Sequence, residues 1–182
     1  MKKIIAILLA AVLMVSCLAA CGGGGKKRSG SSSYDSAIQL YIKYLTGEAT
    51  KSEIRMLKPS FFWDMSGEDP DDIYEEMKED PEYPMDMLKE YYGKNVKITY
   101  EIVDKEPYSK EQLEEIRESV DSLAEHYKVS ASGNKVTEYY EMELEIMVKG
   151  SEGEDTMDAR ASIMQYGGSW YIMDYYMDNP YQ

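Results

Sequence analysis

The chain has 182 residues, 34 of them acidic and 20 basic, for a formal net charge of −14. All 34 carboxylates follow residue 33, while Lys2, Lys3, Lys26, Lys27 and Arg28 precede it, so the part from Tyr34 onward carries a formal charge of −19. Such a surface repels nucleic-acid phosphates and anionic lipid. It excludes a nucleic-acid partner and leaves two roles for the charge, solubility or attraction of a basic partner.

The first twenty residues read as an export signal: Met1-Lys2-Lys3 is cationic, an apolar run begins at Ile4, and small residues precede a cysteine. Leu18-Ala19-Ala20-Cys21 resembles the lipobox of bacterial lipoproteins. The resemblance implies cleavage before Cys21, a diacylglycerol thioether on its sulfur, and a domain held on the extracytoplasmic side of the cell membrane. Cys17 is a rival, but Met14-Val15-Ser16 lacks the branched residue expected three places upstream, and nothing linker-like follows it. Two alternatives stand beside this reading. Ile4 to Ala20 is an apolar stretch at the lower limit for an uncleaved transmembrane anchor, and Cys17 with Cys21 forms a CxxxC pair, though without His or carboxylate support. Residues 21–33 then form a lipidated cysteine and a Gly/Ser/basic linker, with a reach of about 20 Å as a random coil. Acyl chains on Cys21 contribute about 0.8 kcal/mol per buried methylene, and the three linker cations add attraction to anionic headgroups.

Residues 34–182 have the length of one acidic α+β domain. Its 17 tyrosines against 2 Phe and 2 Trp favour half-wet packing surfaces. Tyr34, Ala37, Ile38, Tyr41 and Leu45 fall at helical spacing before Gly47. Thr50 and Glu53 form a capping box for a short second helix, ended by Pro59. Asp69-Pro70-Asp71-Asp72 starts a third helix, and Met85 to Tyr92 a fourth. Val96, Ile98, Tyr100 and Ile102 alternate along a strand over 95–104. Ser109 and Gln112 cap a long helix with Leu113, Ile116, Val120, Leu123 and Tyr127 inward.

Three strands follow. Tyr140, Met142, Leu144, Ile146 and Val148 share one face of the first; Glu141, Glu143 and Glu145 share the other, which must be solvated. The turn at Gly150 to Gly153 brings Arg160 opposite or diagonal to Glu143, and Gly167-Gly168 pairs Tyr166 with Ser169. Counting back from that turn sets Ile163 against Ile172, Ala161 against Asp174 and Ala159 against Tyr176, all on the face of Trp170. The other face of the last strand then carries Tyr171, Met173, Tyr175 and Met177 beside Met164 and Tyr166. That stripe needs a cover, either the N-terminal helices or a second copy of the domain as a homodimer.

The order of helices, strand, long helix and a three-stranded meander ending in Gly168-Ser169-Trp170-Tyr171-Ile172 resembles the cone-shaped NTF2-like and cystatin-like folds. It departs from them in the helical insertion at 68–92. The resemblance implies N-terminal helices and a long helix packed on a curved, mainly antiparallel four-stranded sheet. It also implies a concave cavity, here with Tyr100, Tyr140, Trp170, Asp174 and Tyr176 as candidate lining for a small apolar or aromatic ligand. In that family a cavity acid or base works beside tyrosines, which makes Asp174 the candidate catalytic group.

Other chemistry lacks its residues. The single histidine, His126, suits a helix end. No GxSxG, P-loop or GxGxxG occurs, and the acidic runs GEDPDD and GSEGED lack EF-hand spacing, so no cofactor or metal is expected. The readings that remain are a non-catalytic binding or envelope-associated lipoprotein, a cavity enzyme, and a secretion-linked chaperone or assembly factor that meets a basic protein.

Overall fold

The computed structural model describes residues 30–82 and 84–177; the signal segment, Cys17, Cys21 and the linker up to residue 29 lie outside the described residues. Five helices come first: α1 (Tyr34–Leu45), α2 (Lys51–Ile54), α3 (Ser60–Ser66), α4 (Pro70–Glu79) and α5 (Met85–Tyr92). They are followed by β1 (Lys97–Pro107), α6 (Lys110–Tyr127), β2 (Val136–Lys149), β3 (Glu154–Tyr166) and β4 (Ser169–Met177). The strands form one antiparallel sheet in the order β1-β2-β3-β4, so the mixed helix-and-sheet class expected from sequence is the one that forms. No helix among the described residues is long and apolar enough to cross a membrane.

Local signals account for most boundaries. Both capping boxes close: Thr50 accepts from the Glu53 amide and Ser109 from that of Gln112, and each partner side chain returns to the cap backbone. Asp69 caps α4 ahead of Pro70. The Gly167-Gly168 turn has φ of 59° and 80°, the doubly left-handed turn that glycine adopts without strain. The helix α3 has no side-chain cap and follows Pro59 directly, and the sequence pattern does not announce it. It forms because Phe61, 1% exposed, fits against the Tyr166 ring at 4.9 Å between centroids.

Helices cover both faces of the sheet, unequally. On the inner face, Met142, Leu144, Ile146, Val148, Ile163, Trp170 and Ile172 pack under Ala37 and Ile38 of α1 and Leu88 and Tyr92 of α5. On the outer face, described helices cover the end near the β3–β4 turn. There Phe61 of α3 and Val120 of α6 bury Val136, Met164, Tyr166 and Tyr171. Of the stripe expected to be covered by the N-terminal helices or by a second copy, Met164, Tyr166 and Tyr171 are covered by helices of the same chain, with Met173 packed beside them, while Tyr175 packs with the inner core. A third cluster, with Leu40, Ile54, Leu57 and Met77, ties α1, α2 and α4 together. Each large side chain buried this way contributes about 1.5–3 kcal/mol.

The free edge of β4 is closed by short, specific contacts. Ser31 and Trp170 exchange backbone hydrogen bonds of 3.3 and 2.9 Å, and Lys58 Nζ donates to the carbonyls of Ile172 and Met173 at 2.9 and 2.8 Å. Residues 30–33, grouped with the linker by composition, therefore belong to the fold. A Cβ on Gly30 would stand 2.4 Å from the Tyr171 ring, so only glycine permits this approach.

Register shifts interrupt all three strand pairs, between Ile102 and Asp104, between Val136 and Glu138, and between Ser162 and Ile163; the first and last redirect the candidate residues. Ile163 pairs with Ile172 as expected, but the next pair is Ser162 with Asp174, leaving Met173 as the extra residue. Because side chains alternate with period two, one extra residue exchanges the faces of everything after it. Asp174 faces Ser162, not Ala161, and Tyr176 faces Arg160, not Ala159. A second bulge at Val103 does the same in β1.

Candidate functional site: two faces of one sheet

Three of the five expected cavity residues, Tyr100, Tyr140 and Trp170, lie on the inner face, the two tyrosines half-buried and the tryptophan buried. Trp170, 7% exposed, takes the Tyr34 ring edge-on at 5.6 Å and stacks with Tyr140 at 5.9 Å. Lys105 Nζ lies over the Tyr34 and Tyr140 rings, 4.7 and 4.6 Å from their centroids. The bulge at Val103 puts it there, since Lys105 pairs with Met142 and so shares the inner face. Tyr100 donates to Asp35 Oδ1 at 2.9 Å. Burial, reinforced by Asp35, holds that phenol well above its ordinary range. Tyr140 donates to Glu138 Oε2 at 2.6 Å, and this bond, with burial second, pushes it up to about 12. Both hydroxyls stay protonated near neutrality, which suits donors to carboxylates and not general bases.

Asp174 and Tyr176 are absent from that cluster. Both are exposed on the outer face, and Asp174 Oδ1 accepts from the Tyr175 amide at 2.9 Å. Tyr175 takes the inner position instead, its ring 4.8 Å from that of Tyr41. The physical reason is desolvation: the unbulged register would set a carboxylate among apolar groups, at a cost of several kcal/mol if it stayed charged. The bulge moves the carboxylate to water and the aromatic ring inward. The cost of burying Asp174 was itself the signal in the sequence that the straight count would fail.

What the sequence reading did not assemble is the outer face below α6. Cross-strand pairing sets Glu106, Glu141, Ser162 and Asp174 in one row. The next holds Asp104, Glu143, Arg160 and Tyr176, and a third holds Glu101, Glu145 and Asp158. These eight carboxylates are all exposed. Four pairs of like charge stand directly opposite each other: Glu106 with Glu141, Asp104 with Glu143, Glu101 with Glu145, and Glu145 with Asp158. Each such pair costs about 0.2–1 kcal/mol. Arg160 answers Glu143 at 3.6 Å, as its placement by the Gly150–Gly153 turn foretold. Glu141 is met by Tyr108 and Ser162 hydroxyls, each at 2.9 Å, and burial together with Glu141 pushes Tyr108 up to about 12. A groove of about 400 Å³ lies among Val103, Glu143, Glu145, Asp158, Arg160 and Tyr176.

Elsewhere the chemistry is sparse. His126 is exposed in the last turn of α6, edge-on to Tyr127. No three His, Cys, Asp or Glu side chains among the described residues are placed to hold a metal ion. A hollow of about 450 Å³ beside Ser31, Ser36 and Met56 is bordered by the Lys43–Glu53 ion pair at 2.7 Å.

No protein-family model, curated protein or solved structure matches the chain.

Proposed function

We propose that the protein is a lipid-anchored extracytoplasmic lipoprotein, held to the cell membrane through Cys21, whose NTF2-like domain binds a partner through its outer surface without catalysis. The observation that carries the binding reading is the packing of the inner face. Tyr34 packs edge-on against Trp170, and Lys105 Nζ lies over the Tyr34 and Tyr140 rings, where a ligand would enter. Asp174, the one candidate acid, stands in solvent on the opposite side. A domain with this distribution presents its chemistry outward. The NTF2-like assignment is supported by the order of helices, strand, long helix and antiparallel meander. The anchor reading is supported by Leu18-Ala19-Ala20-Cys21 and by the Gly/Ser segment after it.

The test is metabolic labelling with a palmitate analogue in a bacterial host, followed by fractionation. Wild type is expected to carry label and sediment with membranes, and Cys21→Ala to lose both. Label retained by Cys21→Ala overturns the assignment of the anchor.

A further inference from the structure

We propose that the half of the outer sheet face left open among the described residues is a docking surface for a basic polypeptide segment in extended conformation. The inference deepens the outer-surface binding reading and rests on it.

Charge complementarity names the occupant. The face offers Glu101, Asp104, Glu106, Glu145, Asp158 and Asp174, together with Glu141 and Glu143, against the single cation Arg160 within those three rows. Among the described residues, the side chains of Glu101, Glu106, Glu145 and Asp158 take part in no hydrogen bond or ion pair. The four directly opposed like-charge pairs store repulsion that an incoming cation relieves, so binding gains both the new attraction and the release of the old strain.

Spacing distinguishes a polypeptide from an ion. Same-face side chains repeat at about 6.6–6.8 Å along a strand, and neighbouring strands stand about 4.8 Å apart. This lattice is too open for one metal ion, in keeping with the absence of a metal-sized cluster among the described residues. It matches the repeat at which an extended chain presents alternate Lys or Arg side chains. The same face holds what their stems and heads require: Tyr176 is 64% exposed, Val103 57% and Met147 41%. The tyrosine ring stacks a guanidinium, and the aliphatic groups cover methylene stems. A second copy of the domain brings like charge to this face and is the poorer occupant.

The experiment uses the full chain in detergent and a fluorescent peptide of about ten residues alternating Lys and Thr, with anisotropy read at low and at physiological salt. The triple variant Glu101→Gln, Glu145→Gln, Asp158→Asn is expected to weaken binding at least about tenfold. A control that removes three charges elsewhere, Glu75→Gln, Glu79→Gln and Glu90→Gln, is expected to change it less than about threefold. Thermal melts accompany both, and the outer-face variant is expected to melt no lower than wild type because repulsion is relieved. Equal weakening by the two triples reduces the effect to net charge and overturns the proposal, as does absence of binding to wild type. Binding that emerges only after Lys26, Lys27 and Arg28 are changed to Gln makes the chain's own basic segment the occupant, and also overturns it. Peptide binding retained by Cys21→Ala supports docking whatever the labelling experiment says of the anchor.

Discussion

The inner and outer faces of the sheet use the same four strands to opposite ends. On the inner face every large side chain has a neighbour, and even the lone cation, Lys105, is held between two rings. On the outer face below α6, carboxylates oppose carboxylates and a tyrosine stands in water. The first arrangement is what stability selects. The second is one that stability alone would remove, since replacing any of several acids by a neutral residue relieves repulsion at no loss of packing. Proteins retain such locally unfavourable groups where function needs them.

The sharpest way to break this comparison lies in two adjacent tyrosines. Tyr175→Ala is expected to destabilise by about 2–4 kcal/mol, since it empties a place packed on Tyr41 in the core. Tyr176→Ala, 64% exposed, is expected to cost less than about 0.5 kcal/mol. Urea unfolding of the two variants reads the bulge directly, because an unbulged register reverses their order. Gly30→Val comes next. Its added side chain is expected to displace the Tyr171 ring at a cost of about 1–3 kcal/mol, measured as a lower Tm. The paired change Glu145→Gln and Asp158→Asn is expected to raise stability by up to about 1 kcal/mol at low salt, with the gain shrinking as salt rises.

A further effect is one of pH. Tyr41, through burial and then Tyr44, rises from 10.0 to about 12, as do Tyr108 and Tyr140. The folded state thus prefers their neutral forms. Their stabilisation is whole below pH 10.0 and is lost as pH climbs through about 12. Alkaline denaturation followed by circular dichroism is expected to show this loss, and Tyr140→Phe to make it shallower. An unfolding midpoint that stays flat from pH 10 to 12 contradicts these environments.

Local chemistry was legible in the sequence, and parity was not. Thr50 with Glu53, Ser109 with Gln112, Asp69 before Pro70, and the Gly167-Gly168 turn each act within a few residues, so their signals survive without a structure. The pairing of Arg160 with Glu143 was reachable for the same reason, being one short turn away. Asp174 and Tyr176 were assigned to the wrong face because the bulge at Met173 answers to a distant partner, Tyr41, and to the cost of burying a carboxylate. The helix α3 went unread because Phe61 finds its partner, Tyr166, more than a hundred residues away. The acidic column of β2 was visible as Glu141, Glu143 and Glu145, but β1 brings Asp104 and Glu106 to the Glu143 and Glu141 rows only past the Val103 bulge, so the full face was hidden.

The bridge between Ser31 and Trp170 has a mechanical consequence. The N-terminal segment meets the folded domain at an edge strand that begins with buried Ser169 and Trp170. Any pull along that segment is delivered first to two backbone hydrogen bonds and the Gly30–Tyr171 contact. Behind them stands the aromatic cluster of Tyr34, Tyr140 and Trp170. Ser31 thus works as a strain-relief clamp, confining a tug to the margin of the sheet while the core behind it keeps its shape.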